Sequence, residues 1–368
     1  MKFKTQKSQL VSELQLLQGI VEKRNTLPIL ANILIETQEK GIRLTGTDLE
    51  VGMLTFCEAE IEEEGGITIS GKKLFEIVRS LPEEGNILFE TLGDGELVKI
   101  KCETSEFKIS GLPVKDYPQI PLANFKRSIK LPLNTFHKMI DKTYFAITQE
   151  QRYYLNGALM ILNNDSWELV STDGHRLAYT FIHEDINFNL SEEIQIIISK
   201  KALNEIRKMN DEEIEFDFDE NNLFFRTGKR TLISRIIEGK FPEFRAVIPQ
   251  NNENILTVSR ENLITSIKRV ALLSSERSRG VKFIIRANQL ELYTSNPEIG
   301  EARDIINVNF SGENLEIAFN SQYILDFLNT VKSETIRFEI KDENSAVLIQ
   351  PGEREEVGYK YVLMPMKI

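Results

Sequence analysis

The chain has 368 residues, 41% of them apolar and 27% charged, and its 45 Lys plus Arg against 56 Asp plus Glu leave a formal net charge of −11. That length predicts two or three domains, and the composition excludes a disordered chain and a protein held on nucleic acid by bulk charge alone. Cys57 and Cys102 cannot build a disulfide framework and no Cys/His group has zinc-site spacing, so neither cofactor nor metal is expected and the composition reads as cytoplasmic. The basic start runs into Ser8, Glu13 and Gln15 and does not read as a signal peptide. Apolar runs such as Ile196-Ile197-Ile198 are strand-sized, far short of a membrane span.

In chain order the predicted elements repeat three times. An amphipathic helix at 9–20 carries Leu10, Leu14, Leu17 and Val21 at helical spacing. It precedes a strand and turn, Ile42-Arg43-Leu44-Thr45-Gly46-Thr47-Asp48, then a strand leading into a second helix at 72–81. The pattern returns with a helix at 134–145 (Phe136, Met139, Ile140), the strand Leu169-Val170-Ser171-Thr172-Asp173, and a helix at 200–209. It returns again after Ser259, a predicted N-cap, with Leu263, Ile264, Ile267, Val270 and Ala271, the strand Leu292-Tyr293-Thr294-Ser295-Asn296, and a helix at 321–332. Asp48, Asp173 and Asn296 stand 125 and 123 positions apart. Polar turns between alternating strands close each unit, with Pro118, Pro242 and Pro365 near the ends. The chain therefore reads as three copies of one α+β unit, at 1–122, 128–249 and 253–368, each with two helices packed on antiparallel strands.

Lys and Arg gather on the predicted helices: Lys72, Lys73 and Arg79; Lys138 and Lys142; Lys200, Lys201, Arg207 and Lys208; Lys268, Arg269, Arg277 and Arg279. Acidic clusters fall in predicted turns at 60–64, 217–220 and 353–356, while Asp326 breaks the basic pattern of the last helix. Charges opposite an apolar stripe are ordinarily a solvated face; their repetition points to a layer that holds a polyanion on one side.

Several phrases accompany this repeat. They are Thr26-Leu27-Pro28-Ile29-Leu30, Leu44-Thr45-Gly46-Thr47-Asp48-Leu49-Glu50, Arg152-Tyr153-Tyr154-Leu155-Asn156-Gly157, Thr172-Asp173-Gly174-His175-Arg176-Leu177-Ala178, Gly239-Lys240-Phe241-Pro242 and Met364-Pro365-Met366. In this order and at these intervals the whole chain resembles the bacterial DNA polymerase III beta subunit, the sliding clamp. The resemblance implies a head-to-tail homodimeric ring around duplex DNA, non-catalytic, with helices lining the hole and sheets outside. It implies duplex contact at Arg24 and Lys72, and single-stranded template contact at Gln149, Tyr153 and Tyr154, whose aromatic rings can stack bases; interdomain packing is the other reading of the tyrosines. It implies a groove for short peptides of the polymerase III alpha subunit, the clamp loader, other polymerases and repair factors. Leu155, Thr172, Gly174, His175, Arg176, Leu177, Pro242, Val247, Val362, Met364, Pro365 and Met366 match that groove, with Arg152 on its rim. Met suits a shared groove because it is flexible and polarizable, and His175 and Arg176 are expected to meet a peptide's polar groups. Ala246 stands where the family often has Arg, and Asn344 and Ala346 lie where the wall varies, so motif preference is open. Leu272, Leu273 and Phe107 match the ring junction.

Two other readings compete. Ser171, Asp173 and His175 supply the residue types of a hydrolytic triad, but they lie on one strand and turn rather than on separate loops. A protein-interaction scaffold that never meets DNA would keep the groove and lack the basic sorting.

Overall fold

The structure, a computed structural model, describes residues 1–21, 27–93, 96–126, 128–148, 153–183, 188–250 and 252–367. Among them are six α-helices, two for each repeat: α1 (Lys7–Leu17), α2 (Gly71–Ser80), α3 (Leu133–Thr143), α4 (Lys200–Ile206), α5 (Arg260–Val270) and α6 (Ser321–Leu328). Local chemistry sets their ends. Ser70 caps α2, Asn320 caps α6, and Ser259 caps α5 as its sequence predicts, each side chain accepting a backbone N–H of the first turn. The last two α-helices of the second-helix series are shorter than their periodicity suggests. After α4 the chain tightens into i→i+3 bonds, Lys208 N–H to Glu205 O and Met209 N–H to Ile206 O. After α6 the Thr330 hydroxyl takes the Phe327 carbonyl.

Two compact units result. In the first, Met1–Asn134 with Lys201–Ile236, thirteen strands form one antiparallel sheet. The strands Val51–Glu58 and Arg230–Arg235, far apart in sequence, pair in the register Ser234 opposite Val51. Leu10, Leu14 and Leu17 of α1 and Leu74 and Val78 of α2 are fully buried, so each helix turns its apolar stripe inward. Lys7, the first residue of α1, is also buried, and its ammonium donates to the Leu81 carbonyl just past α2 at 2.6 Å.

The second unit comprises Thr135–Lys200 and Ile237–Ile368, with a nine-stranded and a four-stranded sheet. Arg176–Ile182 pairs with Gly358–Leu363 in the register Arg176 opposite Leu363, the same join that the first unit makes. Its main core gathers Leu263, Ile267 and Val270 of α5, Ile324, Phe327 and Leu328 of α6, and Phe283, Phe319 and Phe338 from the strands beneath. Here too the first residue of one helix staples the end of its neighbour: Arg260 Nε donates to the Leu328 carbonyl at 2.8 Å. The middle third of the chain thus serves both units, giving 201–236 to the first and the rest to the second.

Candidate partner groove and nucleic-acid face

The turn after the second repeat's strand is built from its own side chains. Asp173 Oδ1 accepts the backbone N–H groups of His175 and Arg176 at 3.0 and 3.1 Å, and Thr172 Oγ1 accepts that of Gly174 at 3.1 Å while donating to the Arg176 carbonyl. Gly174 has φ +89°, which an L side chain rarely adopts. The turn holds Gly174 and His175 outward, and the Met364 N–H donates to the His175 carbonyl at 3.0 Å. Beneath lies a second apolar cluster containing Leu155, Leu177, Val362, Leu348, Phe241 and Phe244, with Tyr154 and Ala346 packed on it. Sequence positions 155, 177 and 362 therefore meet in one floor. Around them Pro242 is exposed, Val247 is 53% and Met364 45% exposed, and Pro365 and Met366 are half-buried. The Met366 N–H donates to the Ala318 carbonyl, tying the C-terminal segment down on its far side.

The phrase Gly239-Lys240-Phe241-Pro242 has a steric reason. Gly239 has φ +127°, and a Cβ there would sit 3.1 Å from that of Tyr154. Tyr154 is thus engaged in the cluster under the groove, which favours packing over free base stacking. Tyr153 starts a 3-10 turn, Tyr153–Leu155, and its side chain lies outside the described set. Arg24, Gln149 and Arg152 also lie outside the described residues.

Arg176 departs from expectation. Its side chain is only 9% exposed, and all three guanidinium nitrogens bond inward: Nε to Asp173 Oδ2 (2.9 Å), Nη1 to Asp326 Oδ2 (2.6 Å) and Nη2 to the Phe145 carbonyl (2.8 Å). It is not available to a peptide's polar groups; His175 is. Ser171 is likewise consumed, its hydroxyl donating to the Thr143 carbonyl at 2.6 Å rather than to His175.

One network went unread in the sequence. Glu168 is buried and accepts Arg245 Nη2 at 2.8 and 2.7 Å and the Tyr179 hydroxyl at 3.0 Å. Burial and the Glu168 charge push the Tyr179 phenol well up. This pair fixes the 3-10 turn Phe244–Val247 on the floor, so Arg245 does the anchoring while Ala246, exposed, adds no cation to the rim. Asn344 is exposed as well. The sequence holds a weak signal for the network in Glu168 itself, an acid set between Trp167 and Leu169-Val170, and the structure buries all six residues of that strand.

The basic layer is sorted by the structure into bonded and open cations. Lys201 of α4 reaches Asp48 and the Ile20 carbonyl, and Lys200 reaches the Ile147 carbonyl at 2.8 Å. Burial first, then the charge of Arg176, pull the Lys200 ammonium below the usual lysine range. Lys138 and Lys142, read as open basic residues, instead meet Glu356 and Glu355. Lys72 stays open: its side chain is 68% exposed, with Glu76 at 3.8 Å. Lys72 and Lys73 occupy the first turn of α2, where a cation opposes the helix dipole by about 0.3–1 kcal/mol each. Their position suits an external anion better than it suits the helix.

At the ends of the chain, Leu272 is 79% exposed and Leu273 half-buried, in the 3-10 turn Ala271–Leu273 beside the strand Gly300–Asn307. Phe107 is half-buried on the strand Ser105–Leu112, opposite Ile100. Gly300–Asn307 is an edge strand, and Ser105–Leu112 pairs on its outer side only through Gly111 and Leu112 among the described residues.

Comparison with known proteins agrees with this geometry over the whole chain. The DNA polymerase III beta subunit family matches in three successive segments: its N-terminal domain over residues 1–121, its central domain over 130–243 and its C-terminal domain over 245–367. The chain is 33% identical to the beta sliding clamp of Pseudomonas aeruginosa and 34% identical to that of Escherichia coli, with all of both partners covered in each case. The crystal structure of the DNA polymerase III subunit beta from P. aeruginosa superposes with a TM-score of 0.94 at 32% identity, again covering both chains completely. Three clamp domains in sequence, each with its helix pair and antiparallel strands, place this chain in the DNA polymerase III beta subunit family, the bacterial sliding clamps.

Proposed function

We propose that two copies of this chain close head to tail into a ring that encircles duplex DNA and tethers replication enzymes through the groove at Leu177, Pro242 and Met364. As a member of its family it is a non-catalytic processivity factor. The observation that carries the ring is the pair of open strand edges at opposite ends of the chain, Ser105–Leu112 and Gly300–Asn307, each beside exposed apolar residues. Edges of this kind invite pairing by another strand, and a heterologous contact closes into a ring when its rotation allows. The domain limits on this reading are 1–122, 128–249 and 253–368, and the ring works in the cytoplasm. The groove takes peptides of the polymerase III alpha subunit, the clamp loader and further polymerases and repair factors. A P. aeruginosa sliding clamp has been solved bound to griselimycin, which shows that a homologous clamp binds a small ligand.

The test is retention. The clamp loaded on nicked circular DNA stays bound through gel filtration and leaves when the circle is cut; equal retention on linear DNA is the result that sinks the ring. Contact with the duplex is electrostatic and sequence-independent, which lets an encircling ring slide. Lys72→Ala lowers the salt slope of DNA binding by about one, for the one phosphate contact removed. An unchanged slope removes Lys72 from the DNA face. In the groove, Met364→Ala weakens polymerase and clamp-loader peptides together, because a few apolar anchors carry such interfaces. A displacement titration checks it: both peptides binding one protomer at once is incompatible with a shared groove.

A further inference from the structure

Asp326 is the acid that interrupts the basic pattern of the last helix, and the DNA face gives it no role. It lies on α6, outside the groove residues, with its side chain 21% exposed. Its Oδ2 accepts Arg176 Nη1 at 2.6 Å, and its Oδ1 accepts Gln322 Nε2 at 2.7 Å from one helical turn earlier. The Arg176 guanidinium also lies over the Tyr323 ring, 4.1 Å from its centroid, and over Phe145 at 5.1 Å. From there Nε holds the second oxygen of Asp173, whose first oxygen fixes the two N–H groups of the exposed turn. A chain of charge-assisted bonds thus runs from α6 to the backbone that presents Gly174 and His175 and bonds Met364.

The first repeat shows the same turn wired differently. Asp48 Oδ1 accepts the N–H groups of Glu50 and Val51, Thr47 Oγ1 accepts that of Leu49, and the Arg235 N–H donates to the Glu50 carbonyl. Each bond has its counterpart around Asp173. The second oxygen of Asp48, however, takes the ammonium of Lys201, from the helix packed against that turn. In the second repeat the cation has moved onto the turn, as Arg176, and the helix supplies an acid, Asp326. The turn does not depend on where its cation comes from, since the same backbone bonds form in both repeats. What the exchange adds is a link between α6 and the groove's rim.

We propose that Asp326 is a positioning residue for the partner groove, acting through Arg176 to fix the turn that carries Gly174 and His175. This deepens the groove reading above and rests on it. Arg176 enters as the internal member of the relay, touching no bound peptide through its guanidinium.

The test uses the full-length clamp and a fluorescein-labelled peptide copying the C-terminal tail of its own polymerase III alpha subunit, read by anisotropy. Asp326→Ala is expected to raise the peptide Kd about tenfold, the size of one charge-assisted hydrogen bond. Asp326→Asn, which keeps an acceptor but not the charge, gives an intermediate loss. Retention on circular DNA stays at the wild-type level in both variants. Arg176→Met weakens the peptide, and adding Asp326→Ala to it costs nothing more, because two members of one relay are not additive. Wild-type retention on DNA, with the double-variant cycle, separates positioning from general damage, and the asparagine variant carries the test should alanine disturb the fold. Wild-type affinity in both Asp326 variants, or losses that multiply in the double variant, overturns the proposal. Failure of the wild-type protein to bind the tail at all overturns the groove reading itself, and with it this inference.

Discussion

Glu355→Ala destabilises the second unit by about 3 kcal/mol, because it leaves a buried lysine without its acid. Lys142, on α3, is buried; its ammonium meets Glu355 and lies over the Tyr359 ring, 4.6 Å from its centre. Glu355 also accepts the backbone N–H groups of Lys332 and Ser333, at 2.7 and 3.1 Å, just beyond α6. Burial alone would raise the Glu355 carboxyl; the Lys142 bond and the Lys332 amide outweigh it and hold the carboxyl below its usual range. A depressed carboxyl stabilises the fold above the unfolded value of 4.5, and that contribution is lost as pH falls through the folded value. Urea unfolding followed by the chain's single tryptophan, Trp167, reads this directly, since its ring lies 5.3 Å from Phe136 of α3. The gap in stability between variant and wild type is expected to be full at neutrality and to narrow as pH falls below 4.5 and through the lower folded value. Replacing the pair together, Lys142→Met with Glu355→Leu, restores part of the difference: no buried charge is left unpaired, but the Lys332 and Ser333 N–H groups still lose their acceptor. An alanine variant as stable as the wild type shows the pair to be solvated in practice.

The helices and turns were legible because their signals are local. Periods of 3.6 and 2, a Ser before an apolar stripe and an Asp two residues before the amides it caps all act within a few positions. The repeat then multiplied weak signals by three, and Leu155, Leu177 and Val362, which the family resemblance assigns to one groove, do share one apolar cluster. What stayed hidden was the pairing of charges. Arg176 and Asp326 are 150 positions apart, and Lys142 and Glu355 are 213 apart. No periodicity connects residues at such separations, so a helical lysine reads as open until its neighbour in space is known. For the same reason the basic layer looked fuller than it is. Lys200 and Lys201 donate to carbonyls of neighbouring elements, and Lys138 and Lys142 meet Glu356 and Glu355, so they serve packing before any ligand. Lys72, 68% exposed with Glu76 of its own helix at 3.8 Å, makes no such bond to a carbonyl among the described residues.

The other large effect concerns the ring. Leu273→Asp, or Leu272→Asp, is expected to turn the dimer into monomers at micromolar concentration and to abolish retention on circular DNA. Leu272 is the most exposed of the large apolar residues among those described, at 79%, and Ile299 (59%) and Ile305 (46%) lie on or beside the strand Gly300–Asn307 that neighbours its turn. At the other end Leu97 (45%) and Leu112 (41%) accompany Phe107. So many exposed apolar side chains next to two strand edges would be an aggregation liability in a monomer. Burial of one such leucine is worth about 1.5–3 kcal/mol, and a carboxylate in its place adds a desolvation cost of several more. Two identical junctions close a head-to-tail ring, so the substitution is felt twice per ring and the loss is steep. Sedimentation velocity separates the cases: a monomer that keeps the wild-type melting curve and still binds the polymerase tail locates the defect at the junction alone. Loss of peptide binding along with the dimer would mean that the fold, not the junction, was damaged. A dimer unmoved by aspartate at both leucines and by Phe107→Asp would place the contact elsewhere, because no dimer could hold three carboxylates in an apolar seam.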